Sequence, residues 1–223
     1  PYEHSAIAAS YMNLLTFDYF MRTNVDTLEP EVGVITAWEN PSDLEWVFTI
    51  RDDVYFQNGD KVTAEDMVAS MEYAREKEAY TVNYSAFWDT VEVIDETHFK
   101  VTTKTVYAKT LYDMSSHRVL PKKLIDENND FNANPMGSGP YVLDVYKPDT
   151  EIVMKRNENY VATDNGDATG YAATNCFGVK GMAMRSMTDG LVHLLRKEAM
   201  GKGVHITYND DGSISIQLHI IVE

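Results

Sequence analysis

A single cysteine, Cys176, stands in 223 residues. That excludes an intramolecular disulfide framework and a cysteine-based zinc cage, and it leaves the redox compartment undecided. No apolar run reaches the roughly 18 residues that a membrane-spanning helix needs. Residues 1–10 lack the basic start and apolar core of a secretory leader, which leaves export open because a leader can be removed. Basic side chains are scarce too: 19 stand against 35 acidic ones, for a formal charge of −16. Such a surface repels phosphate backbones and anionic lipid headgroups, because binding them depends on Lys and Arg displacing counterions. Nucleic acid is therefore not an expected partner, and the negative charge reads as a solvated surface.

What is present is ordinary for a globular chain, with 44% apolar and 24% charged residues. The length suits one large domain or two small ones. Charge is unevenly spread, with 28 acidic and 14 basic side chains in residues 1–160 but 7 and 5 in residues 161–223. Composition thus shifts near residue 160.

Periodicity organises the first part. Tyr11–Met21 is apolar and aromatic without a clean period, a buried helix or strand. In Glu45–Arg51, Trp46, Phe48 and Ile50 alternate with Glu45, Thr49 and Arg51, the period of a half-buried strand. Val54–Phe56 is expected to continue it, Asn58-Gly59 to turn the chain, and Thr63-Ala64-Glu65-Asp66 to open a helix as a near capping box. Met67, Val68, Met71 and Ala74 would share one face of that helix, which ends near Lys77. Thr90–Asp95 and Thr97–Thr103 read as strands around Glu96, Tyr107–Met114 as a short helix, and Asp126–Asn134 as a polar loop. After the turn Gly137-Ser138-Gly139-Pro140, Tyr141–Lys147 and Glu151–Arg156 form a hairpin around Pro148-Asp149. A phosphate cradle at Gly137–Gly139 is disfavoured, since no Lys-Ser/Thr follows.

These segments carry a resemblance. Trp46-Val47-Phe48-Thr49-Ile50-Arg51-Asp52-Asp53-Val54, Asn58-Gly59-Asp60 and Val62-Thr63-Ala64-Glu65-Asp66-Met67-Val68 resemble the signature of the peptide/nickel-type solute-binding proteins of ABC importers. Gly137-Ser138-Gly139-Pro140-Tyr141, Lys147-Pro148 and Arg156-Asn157-Glu158-Asn159-Tyr160 are similar to its second hallmark, although Val161 stands where the family commonly has Trp. Full members are more than twice this length and close two lobes around a ligand. The resemblance therefore implies one small lobe and part of another, an extracytoplasmic location, importer membrane subunits as partners, and an incomplete pocket for small peptides.

From Gly166 onward the character changes. Tyr171–Ala183, Gly190-Leu191-Val192, Lys202-Gly203-Val204 and His219–Glu223 resemble the alkaline-shock family of envelope-stress proteins, which are cytoplasmic. Ser186 or Thr188 would cap a helix with Met187, Leu191, Leu194, Leu195 and Ala199 on its apolar face, ended by Gly201. Val204, Ile206 and Tyr208 then alternate, residues 209–212 turn, and Ile214, Ile216, Leu218, Ile220 and Val222 make a longer strand. Such a half-domain needs cover, from the first part or from a second copy, so a homo-oligomer through the C-terminal strand is one expected outcome.

The fold expected is α+β: a mixed sheet-and-helix lobe of the periplasmic-binding-protein type over residues 1–160, a junction at 161–165, and a C-terminal helix and hairpin over 166–223. Joining two such families implies an engineered or recombined chain. No enzyme is expected, because Cys176 has no motif around it to pair it with His193 or His205. No cofactor or metal is expected either: His4, His98 and His117 lack ligand spacing. By the resemblance, ligand-facing residues are Tyr11, Asn13, Ser115, Ser116 and His117, with Phe87 and Trp88 as aromatic walls; the competing reading makes that aromatic pair core and the serines a turn. Two function classes follow, a non-enzymatic solute-binding module with a compromised pocket and a structural or envelope-stress scaffold with no ligand.

Overall fold

The computed structural model describes residues 13, 15–24, 27–77, 87–147, 151–161, 204–208 and 214–218. In chain order the elements are β1 (Arg22–Thr23), β2 (Pro30–Glu31), β3 (Ile35–Ser42), β4 (Glu45–Ile50), α1 (Ala64–Glu76), β5 (Trp88–Val93) and β6 (His98–Thr103). There follow α2 (Thr110–Met114), α3 (Lys122–Asp126), β7 (Tyr141–Lys147), β8 (Glu151–Arg156), β9 (Val204–Tyr208) and β10 (Ile214–Leu218). Helices and antiparallel sheets are mixed in an α+β arrangement.

Thr63 decides where α1 begins. Its extended backbone stops helical geometry, and the Asp66 carboxylate accepts both its N–H and its hydroxyl at 2.9 Å. The other Asp66 oxygen accepts the Lys122 N–H at 2.8 Å, so one carboxylate ties the start of α1 to the start of α3. Burial raises its pKa, opposed by these N–H groups. Asp66→Ala is expected to cost about 2 kcal/mol, since it strands two backbone donors; urea denaturation checks it.

The spacing of Met67, Met71 and Ala74 puts them on the buried face of α1, and the helix stops at Lys77 as its sequence predicts. That face lies over β5 and β6 of a four-stranded sheet ordered β3-β4-β6-β5. Phe48 of β4 and Phe99 of β6 are opposite one another in register and stack at 5.2 Å, while Phe20 meets Phe99 edge-on at 6.2 Å. Burying each such ring contributes about 1.5–3 kcal/mol.

The strand at Glu45–Ile50 matches its alternation, but residues 54–56 do not extend it. Phe56 N–H bonds Asp60 O and Val62 N–H bonds Val54 O, both at 2.9 Å or less, so the chain doubles back through Asn58-Gly59 with a single bridge at Tyr55 and Lys61. Gly59 supplies the turn with φ +87°. β3 is a finding its sequence hides. Only Ile35 of its eight residues is buried, and Pro41 sits where an edge strand owes no ladder bond.

The second sheet is ordered β7-β8-β10-β9. β10 pairs antiparallel with β8 on one side and β9 on the other. The C-terminal hairpin is therefore seated on the first part of the chain, and the outer strand is β9 rather than β10. The expected helix between residues 186 and 201 and the strand end at 219–223 lie outside the described residues.

Candidate ligand-facing site

The run Phe17–Arg22 lies beside the loop that carries Ser115, Ser116 and His117, three of the residues expected from sequence. It is zipped to the loop before Leu120-Pro121 by Val119 N–H to Asp18 O at 2.9 Å, Phe20 N–H to His117 O at 3.0 Å, and an antiparallel bridge between Tyr19 and Arg118. Ser115 and Ser116 form the turn that ends α2. The Ser115 hydroxyl bonds Leu111 O at 3.3 Å and reaches Arg22 O at 3.5 Å, and Ser116 N–H bonds Asp113 O at 2.9 Å. Both serines are half-buried.

Asn13 lies at the opposite end of the run, where its carbonyl accepts the Phe17 N–H at 2.9 Å. Ser115, Ser116 and His117 thus share one turn, and Asn13 belongs to another. Tyr11 lies outside the described residues. His117 is fully buried between Phe20 at 5.4 Å and Trp88 at 4.9 Å, and among the described residues neither ring nitrogen has a hydrogen-bond partner. Burial, with Arg118 adding repulsion, pushes its pKa down to about 3, so the ring is neutral. The aromatic pair divides: Trp88 is core, whereas Phe87 is exposed and stacks on Tyr107 at 4.3 Å.

The other end of the run is gripped by the hallmark around Ser138. Gly139 N–H bonds Thr16 O at 2.9 Å, and Asn157 Nδ2 donates to Gly139 O at 2.8 Å. Gln57 Nε2 reaches both Thr16 O at 3.1 Å and Tyr141 O at 2.8 Å, and Asn159 Nδ2 donates back to Gln57 O at 3.1 Å. Three segments far apart in sequence meet on one stretch of backbone.

Sequence reasoning missed Asp18, the lone acid of an aromatic run. Burial raises its pKa to about 6 against the pull of Arg22 and then Arg51, whose guanidinium also holds Asp53 with one contact at 2.7 Å. Tyr160 beside it is pushed up, chiefly by burial. Asp113 is buried, with the Tyr107 hydroxyl at 3.3 Å, and its pKa rises to about 7. These groups orient backbone and charge, and the Ser115 hydroxyl is spent on carbonyls. A surface groove of about 430 Å³ lies elsewhere, where Thr63 and Asp66 face Lys122 and Lys123, and it is polar and open. Among the described residues no three His, Cys, Asp or Glu side chains gather as metal ligands; His98 is held by Asp95 at 2.8 Å.

Within a lobe of sheet and helix, the two signatures clamp one N-terminal run. The model of the bacterial extracellular solute-binding proteins, family 5, matches residues 29–174, and the chain belongs to that family. An alkaline-shock-type family of cell envelope-related function matches residues 166–223, overlapping the first match at 166–174. The nickel-binding protein NikA of Staphylococcus aureus is 29% identical over 133 residues, 58% of this chain and 26% of that protein. The oligopeptide-binding protein OppA of Bacillus subtilis is 26% identical over 169 residues, 65% of this chain and 31% of that protein.

Among solved structures, AppA from Bacillus subtilis in complex with a nonapeptide has a TM-score of 0.62 at 20% identity, over 70% of this chain and 33% of its own. NikZ from Campylobacter jejuni in complex with Ni(L-His) has a TM-score of 0.60 at 23% identity, over 86% of this chain and 41% of its own. The fold is that of the periplasmic binding proteins. By sequence the chain spans only 26% to 31% of the length of those two relatives.

Proposed function

We propose that the chain is a piece of a non-enzymatic solute receptor of a bacterial importer, taking peptide-type ligands in a pocket left incomplete. The observation that supports this is the family match over residues 29–174. OppA and AppA carry peptides in their names or complexes, and peptides fit a site of hydroxyls and amides better than the chelate of NikZ, because the buried His117 offers no nitrogen to solvent. In this reading Tyr11, Asn13 and Ser116 meet the backbone or termini of a peptide, Ser115 offers only its oxygen because its proton is held by carbonyls, and His117 shapes the loop from beneath.

The protein works outside the membrane beside importer subunits. Residues 1–160 and 166–223 are two lineages joined by engineering or recombination, with the junction at 161–165. The competing scaffold reading draws on the 26% to 31% of those relatives' length that the chain spans, since one lobe can fold and bind nothing by itself. Thermal shift with di- to hexapeptides separates the two. A peptide at ten times its Kd stabilises the native state by about 1.4 kcal/mol, a rise of roughly 3–5 °C for a chain this size. No rise with any peptide at millimolar concentration would leave the scaffold.

A further inference from the structure

β8 has a neighbour on each side, and only β7 belongs to the same signature. The other, β10, comes from the stretch matched by the alkaline-shock-type family. Without β10, β8 would present a row of unpaired N–H and C=O groups, an edge that recruits foreign strands. The register is the useful part: Ile214 stands opposite Met154 and Ile216 opposite Ile152, apolar with apolar, while Ser215 and Gln217 oppose Val153 and Glu151. Partners in register share a face, and a slip of one residue would reverse every pairing.

We propose that the C-terminal hairpin is an edge donor acting within its own chain: it covers the side of β8 that β7 leaves open and makes the two family segments one cooperative sheet. This stands independently of any ligand.

The test uses the full chain with Cys176→Ser. Val153→Cys combined with Ser215→Cys should give, at low micromolar protein under mild oxidation, a cross-link within one chain in most molecules, because directly opposed antiparallel positions have Cα separations a disulfide accepts. Val153→Cys with Gln217→Cys, out of register, should react at least about tenfold more slowly. In a second arm, Ser215→Pro should raise amide exchange of residues 151–156 about tenfold together with that of 214–218. Absence of the 153–215 link, a link formed only between copies, or unchanged exchange at 151–156 in Ser215→Pro each overturns the proposal; the cross-link arm requires no destabilising change.

Discussion

Gly139→Ala is expected to cost about 3–5 kcal/mol and to lower the melting temperature by roughly 10 °C. The methyl group would stand 2.6 Å from Thr16 C, 2.7 Å from Leu15 O and 2.8 Å from Phe17 N, all backbone atoms. Backbone can yield only by moving the chain, and here both sides are held. Gly139 N–H is bonded to Thr16 O and its carbonyl to Asn157, while Gln57 grips Thr16 O from a third direction. Phe17 beyond is core.

Gly59→Ala is the contrast. Its Cβ would meet nothing closer than Asn159 Nδ2 at 3.8 Å, so the penalty is only the positive φ, about 1 kcal/mol. Urea denaturation of both variants decides the matter: a Gly139→Ala protein within 1 kcal/mol of the parent would mean that the Thr16–Gly139 approach is loose. The same approach explains why a Gly-Ser-Gly stretch belongs here at all. It is a backbone-to-backbone seat for the N-terminal run, and no phosphate chemistry is needed to account for it.

Elements that announced themselves did so through local chemistry. Thr63 and Asp66 marked the start of α1, Asn58-Gly59 the turn, alternation the strands β4 and β7, and the turn signals at Glu96 and Pro148-Asp149 the strands β6 and β8, because each signal acts within a few residues of itself. β3 was silent because an edge strand exposed along seven of its eight positions has no apolar period to show. α3 was silent because five residues hold less than two turns of pattern, and its start depends on an Asp66 carboxylate 56 residues away. The site was less readable than the fold. Ser115 and Ser116 have the look of ligand donors in sequence, yet the carbonyls of Leu111 and Arg22 occupy the Ser115 hydroxyl. Asp18 reads as one polar residue among aromatics, and only folding brings Arg22, Arg51 and Tyr160 around it.

His117 should leave its mark on the acid side of the stability profile. Its native pKa of about 3 lies below the unfolded value of 6.5, so below pH 6.5 the unfolded chain takes up a proton that the native chain refuses. Stability from this group is complete above pH 6.5 and falls by about 1.4 kcal/mol per pH unit as the solution is acidified toward pH 3. Asp18 and Asp113 act in the opposite sense. Their native pKa values, about 6 and about 7, lie above the unfolded 3.8, so they stabilise below pH 3.8 and that contribution is lost as pH rises through 6 to 7. The parent profile is therefore a competition. His117→Phe isolates one contestant: the ring sits between Phe20 and Trp88, and the change removes two unpartnered nitrogens without touching a hydrogen bond of the side chain. At pH 7.5 the variant should be more stable by about 1–2 kcal/mol. Its advantage should then widen by about 1.4 kcal/mol for each unit between pH 6.5 and 4.5, measured by urea denaturation at several pH values. An advantage that stays flat across that window would mean that the native ring is protonated as readily as the unfolded one, and the buried, neutral His117 would have to be abandoned.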